Sequence, residues 1–288
     1  DVKEEIKKAV ELAKSGDQVV LCVGLNLDWE QEGHDRPHMD LPEHTDDLVA
    51  AVAAANPRTV VVVQSGTPVT MPWEKDVAAV VHAWYGGNET GNAIADVLFG
   101  DVNPSGKLSL SFPKLVEDNP AYLSYRSERG RVLYGEDVYV GYRYYESVKR
   151  AALYPFGWGL SYTSFKLSTL QVSVDDKAGS LVVGLDIENT GSVDGAEVVQ
   201  VYIAQQSPSI RRLVKELKGF KKVVVGKGQS KRVEVVIEKK YATSFWDEER
   251  DQWVEESGTY DVLVGNSSAS TPLKGTFEVD ETSWWSGL

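Results

Sequence analysis

The sequence has a single cysteine among 288 residues, four histidines and fewer basic than acidic side chains. Each scarcity excludes something. With one thiol, Cys22, no internal disulfide can form. Its place in the apolar run Val19-Val20-Leu21-Cys22-Val23 predicts a small core residue rather than a nucleophile. Absence of disulfides slightly favours a cytoplasmic setting and leaves secretion open. No apolar run reaches membrane-spanning length. The start, Asp1-Val2-Lys3-Glu4-Glu5, lacks the basic head and apolar centre of a signal peptide, although a chain beginning in mid-sequence would have left its signal elsewhere. With 30 Lys and Arg against 43 Asp and Glu, the net charge is −13. That disfavours nucleic acid and anionic membranes, which need surplus cations, and leaves an uncharged ligand open.

Hydrophobic residues make up 42% and charged residues 25% of the chain, the composition of a soluble globular protein long enough for two domains. The two halves follow different patterns. In the first, Val2, Ile6, Ala9, Val10 and Ala13 recur at helical spacing, and Val19 to Val23 reads as a short apolar strand. A second helix carries Leu48, Val49, Val52 and Ala53 and stops at Asn56-Pro57, before a strand from Thr59 to Val63. A third strand is expected over Val77 to Trp84, then a helix from about Glu89 to Leu98. Apolar strands alternating with helices predict a mostly parallel sheet covered by helices. In such sheets ligands gather at the carboxyl ends of the strands. The long polar stretch from Gly24 to Pro42 is therefore where chemistry is expected.

From Phe165 onward the period is two. Leu181, Val183, Leu185 and Ile187 form one alternating run, Val199, Val201 and Ile203 another, then Val233, Val235 and Ile237, and later Tyr260, Val262 and Val264. About seven such strands predict a β-sandwich, and without a cysteine pair the fibronectin kind is preferred over the immunoglobulin kind. Between the halves, residues 119–164 are too aromatic for a flexible linker. The expected division is 1–118 for the α/β part, 119–164 for an ordered connecting segment packed along both domains or against a further one, and 165–288 for the sandwich.

The densest chemistry lies in Trp29-Glu30-Gln31-Glu32-Gly33-His34-Asp35-Arg36. Gly33 permits a sharp turn and a close approach to a ligand. A glutamate held there against low-dielectric surfaces would be tuned toward general-acid work. On composition alone the signal is weak, and a polar surface loop is the better reading. Other readings are structural. His34 and His38 sit four apart, but Pro37 between them breaks any helix that would align them on a metal. Asn88 is read as a helix N-cap, and Glu89 as serving the helix dipole. Asn266-Ser267-Ser268 is a glycosylation sequon at an exposed loop if the protein is secreted. Trp284-Trp285 are expected to pack against a neighbouring domain. No phosphate-cradling loop, Ser-His-Asp set or Cys/His metal spacing is present, so no cofactor or metal is expected.

The run Glu32-Gly33-His34-Asp35-Arg36 with Leu41-Pro42 resembles the acid/base loop of glycoside hydrolase family 3. The same resemblance runs, in order, through Trp84 to Gly91, Ala95 to Gly100, Asn103 to Leu108, Tyr139 to Tyr145, Pro155 to Thr163, Asn189-Thr190-Gly191 and Glu216 to Phe220. It implies an α/β sandwich domain followed by a fibronectin type III-like β-sandwich. It also implies a preceding (β/α)-barrel that supplies an aspartate nucleophile and most sugar contacts, with a lectin-like insert before Asp1 in some relatives. On this resemblance the chain is the C-terminal part of a retaining, exo-acting β-glucosidase, inactive alone. Its substrate is a β-glucoside or oligosaccharide, its partner is the N-terminal barrel of the same enzyme, and self-association stays open. Glu32 is implied as the acid/base, preferred over Glu30, which is read as a solvated loop charge. Asp35 and Arg36 are implied as loop-ordering residues. Trp29 stays unassigned, and so do the substrate-binding residues. β-Xylosidase or β-N-acetylglucosaminidase specificity remains open, as do two non-catalytic readings, a carbohydrate-binding module and a scaffold for a partner enzyme.

Overall fold

A computed structural model describes residues 1–287. The chain folds into two compact units, and neither is a continuous stretch of sequence. The first comprises Asp1–Val102 and Phe112–Tyr122, the second Asn103–Ser111 and Leu123–Leu288.

The first unit opens with helix α1, Val2–Ser15, whose Asp1 side chain accepts the Lys3 N–H. Glu4 and Glu5 occupy its first turn and Lys14 its last, complementing the helix dipole. Strand β1, Val19–Gly24, follows, then helix α2, Thr45–Ala55, and strand β2, Thr59–Gln64. Asn56 ends α2 and donates from Nδ2 to Ala13 O and Gly16 O, satisfying carbonyls that the end of α1 leaves open. Strand β3, Ala79–His82, and helix α3, Thr90–Phe99, complete the unit. The strands lie in the order β1-β2-β3, all parallel, with Val61, Val62 and Val63 buried in the central strand.

Two expectations need correction here. Cys22 is exposed rather than part of the core. It lies on the edge strand, where Val19, Leu21 and Val23 are half-buried and Val20 and Cys22 point the other way into the open. An unbroken apolar run does not tell which face of an edge strand is covered. Asn88 is not the N-cap of α3. A 3₁₀ turn, Gly87–Glu89, intervenes, and the N-cap is Glu89, with no side-chain capping bond. The Glu89 carboxylate instead accepts from Asn92.

In the second unit, the short helix α4, Tyr142–Ser147, buries Tyr145. Tyr142 stacks on Phe156 at 4.9 Å, and its hydroxyl accepts the Leu217 N–H. Ring stacking and this hydrogen bond fix the Tyr142 side chain. The sandwich follows as β4, Phe165–Asp175; β5, Ser180–Asn189; β6, Gly195–Gln205; β7, Glu216–Val225; and β8, Ser230–Glu238. Helix α5, Lys239–Thr243, precedes β9, Phe245–Asp247; β10, Gln252–Glu255; β11, Gly258–Gly265; β12, Leu273–Val279; and β13, Ser283–Trp285. One sheet runs β12-β11-β6-β7 and the other β4-β5-β8, seven antiparallel strands in all. The alternation puts Leu181, Val183, Leu185 and Ile187 of β5 in one core with Val199 and Val201 of β6 and Tyr260, Val262 and Val264 of β11. Each contributes about 1.5–3 kcal/mol of hydrophobic burial.

The turn after β5 is built on one buried amide. Asn189 donates to Val193 O and Val225 O and accepts from Thr163 Oγ1 and Gly191 N. The sequon at Asn266 is not an exposed loop site. Asn266 Nδ2 donates to Glu197, and Ser267 and Ser268 are buried. Trp284 and Trp285 find partners in and beside the small sheet β13-β10-β9. Trp285 stacks on Trp253, and the Arg250 guanidinium covers Trp284 at 3.7 Å.

Candidate active site

The polar stretch leaves the carboxyl end of β1 through a local turn. Asn26 accepts from Trp29 N–H and Glu30 N–H through its carbonyl and from Asp28 N–H through its side chain. The stretch is anchored again at Met39 and Leu41, both buried, where Met39 O accepts from Thr70 N–H. Between these anchors, Gln31 and His34 pair across a tight turn with Glu32 and Gly33 at its corners. Gly33 has φ +87°, a left-handed value that glycine adopts without steric cost. Space is not the constraint, because nothing lies within 4 Å of where a Cβ would sit. Glu32 is thus presented at the tip of the loop, and its side chain is exposed. The enclosing surface expected from the local reading is not supplied around it.

Glu30, expected to be a solvated charge, is half-buried and accepts three hydrogen bonds. Gly66 N–H and the Tyr85 hydroxyl donate to Oε2 at 2.8 and 2.7 Å, and the Thr67 hydroxyl donates to Oε1 at 2.5 Å. Desolvation raises its pKa, but the bonds from Thr67, Tyr85 and Gly66, with the charge of Arg36, outweigh it and hold the carboxyl below its ordinary value. The Tyr85 phenol is pushed up to about 12, by desolvation first and then by its bond to Glu30. A carboxylate so fully used as an acceptor is a poor proton donor. The two glutamates thus differ in their surroundings, Glu30 engaged and Glu32 exposed.

Arg36 reaches the same neighbouring loop, donating from Nη2 to Thr67 Oγ1 at 2.8 Å and to Pro68 O at 3.1 Å. Asp35 is exposed beside it. Trp29 is half-buried and packs its ring 5.9 Å from that of His38. Among the described residues no group of three or more His, Cys, Asp or Glu is arranged to hold a metal.

His82 was not singled out by the sequence, although it ends an apolar strand at the edge of the sheet where ligands gather. Its ring meets Trp84 edge-on at 4.2 Å and Phe112 at 5.0 Å, and both ring nitrogens are buried without a hydrogen-bond partner. Burial lowers its pKa to about 4, against the opposing pull of Glu30. Between pH 6.5 and about 4, the unfolded chain therefore binds a proton that the folded chain refuses. Stability should fall as pH drops through that window and level off below it. Urea midpoints measured across it are expected to vary less with pH for His82→Phe than for the unaltered chain.

A short α/β unit with an acidic loop at the end of its first strand, joined to a seven-stranded sandwich, matches two described families in order. The profile for the glycosyl hydrolase family 3 C-terminal domain matches residues 2–162, and that for the fibronectin type III-like domain matches 197–268. The chain belongs to glycosyl hydrolase family 3. Among similar proteins, a probable beta-glucosidase I of Aspergillus clavatus is 56% identical over 99% of this chain and 35% of its own length. A putative beta-glucosidase of Schizosaccharomyces pombe is 52% identical over 100% and 34%. Among solved structures, a beta-glucosidase from Kluyveromyces marxianus in complex with glucose superposes with a TM-score of 0.97 at 52% identity, over 100% of this chain and 34% of that one. A GH3 beta-glucosidase of Bifidobacterium adolescentis gives 0.92 at 38%, over 96% and 41%. The chain spans about a third of the length of the curated relatives it matches.

Proposed function

We propose that this chain works as the C-terminal part of a retaining β-glucosidase that removes terminal, non-reducing β-linked glucose, with Glu32 as its general acid and base. The observation that carries the reading is the turn at Gln31–His34, which lifts one unengaged carboxyl to the tip of the loop while Glu30 is held down beside it. The names of the relatives supply the substrate class.

The chemistry needs a second carboxylate about 5–5.5 Å from the first, contributed by an N-terminal barrel of the same enzyme. In the first step that carboxylate attacks the anomeric carbon. The bond to the leaving oxygen breaks, and Glu32 gives that oxygen its proton. In the second, Glu32 takes a proton from water as the water oxygen attacks the same carbon, expelling the carboxylate and restoring protonated Glu32. Two inversions give net retention. Arg36 and Asp35 order the loop. The 288 residues alone are expected to show no turnover of an aryl β-glucoside. The complete enzyme is expected to release β-glucose first, read by proton NMR before mutarotation. Turnover by the chain alone, or α-glucose as the first product, would refute the assignment.

A further inference from the structure

The segment that carries Glu32 is pinned on both sides to one hydroxyl. Thr67 Oγ1 donates to Glu30, two residues before Glu32, and accepts from Arg36, four residues after it. A hydroxyl can do both at once, having one proton and two lone pairs. The remaining bonds brace the same point. Gly66 N–H and the Tyr85 hydroxyl hold the other oxygen of Glu30, Pro68 O takes a second bond from Arg36, and Ser65 Oγ donates to Thr67 O. Both attachments involve a charged partner, the strong kind of hydrogen bond. At Gly66 a Cβ would come within 3.1–3.3 Å of the Tyr85 ring and Glu30 Oε2, so the cradle is close-fitting.

We propose that Thr67 is a positioning residue for the acid/base step, a clasp that closes the Glu32 loop by joining Glu30 to Arg36. The proposal rests on the reading of Glu32 as the proton donor. Its consequence is selective. A proton donor displaced by about 1 Å can lose on the order of 10²-fold, but only where the leaving oxygen needs the proton. Departure of an acidic phenol does not need it.

The test compares kcat/KM of the complete enzyme for methyl β-glucoside and 2,4-dinitrophenyl β-glucoside, in Thr67→Val, Thr67→Ser, Tyr85→Phe and Glu32→Gln. Thr67→Val is close in shape and lacks the hydroxyl. It is expected to lose about tenfold or more on the methyl glycoside and less than about twofold on the dinitrophenyl one. Thr67→Ser should stay near the unaltered enzyme on both. Tyr85→Phe removes one of three bonds to Glu30 and should show a smaller loss in the same direction, which also serves if Thr67→Val fails to fold. Equal losses on both substrates, or no loss on either, in Thr67→Val and Tyr85→Phe would overturn the clasp. So would a Thr67→Ser variant as impaired as Thr67→Val. Glu32→Gln separates the two levels. If it discriminates strongly between the substrates and the clasp variants do not, the clasp alone fails. If it does not discriminate, the acid/base reading fails and takes the clasp with it.

Discussion

Glu32→Ala in the complete enzyme is expected to lower kcat/KM for methyl β-glucoside by about 10²–10⁴-fold, the usual worth of a positioned proton donor. For 2,4-dinitrophenyl β-glucoside, kcat/KM should hardly change, because the first step then needs no proton. Its kcat should still fall, since water must attack the glycosyl intermediate without a base. The intermediate then accumulates, so KM falls together with kcat. Azide, a nucleophile needing no deprotonation, should restore kcat and leave β-glucosyl azide as product. That combination belongs to a lost acid/base in a two-step retaining mechanism. Near-normal activity on the methyl glycoside, or absence of the azide adduct, would point to another donor. Glu30→Ala should not reproduce the azide effect, since the Glu30 carboxylate is occupied as an acceptor.

The second large effect lies far from the loop in sequence. Lys107 Nζ is 2.7 Å from Glu197 Oε1, and the two side chains are 11% and 7% exposed. The ammonium also donates to Gly159 O at 2.8 Å, while Glu197 accepts from Val198 N–H and Asn266 Nδ2. Lys107→Met would leave the carboxylate buried with its neutral donors and no counter-charge. A loss of about 3–5 kcal/mol is expected, read as a lower urea midpoint at unchanged slope. Adding Glu197→Gln should recover at least half of it, because the amide oxygen can still accept while the charge is gone. A single-variant loss below about 1 kcal/mol would mean that the pair behaves as an exposed bridge.

How much of this was legible in the sequence depends on the range of the interaction. The alternation Leu181, Val183, Leu185, Ile187 defined both the strand and its buried face, because a period of two has one solution once a core exists. Gly33 marked its turn because positive φ is a local demand. The Thr67 hydroxyl left no such mark. Its contacts with Glu30 and Arg36 span 37 and 31 residues, and nothing in Ser65-Gly66-Thr67-Pro68 signals a role beyond a polar turn. Cys22 failed for the opposite reason. Its neighbours were all apolar, but burial depends on what lies across the sheet. The motif at 103–108 was legible only by resemblance, and the structure gives its physical basis. Leu108 exchanges backbone bonds with Gly157 and Trp158, and a Cβ on Gly159 would lie 2.2 Å from Gly106 O. Glycine stands at 159 because two backbones touch there.

The interleaved path of the chain bears on how such a gene can be rearranged. Because 103–111 belongs to the second unit while 112–122 belongs to the first, no single crossover separates the two units cleanly. A junction placed between Tyr122 and Leu123 would carry the sandwich into its new host without Lys107, leaving Glu197 to face a stranger's sequence. Swapping of this sandwich among hydrolases is therefore expected to carry residues 103–122 with it.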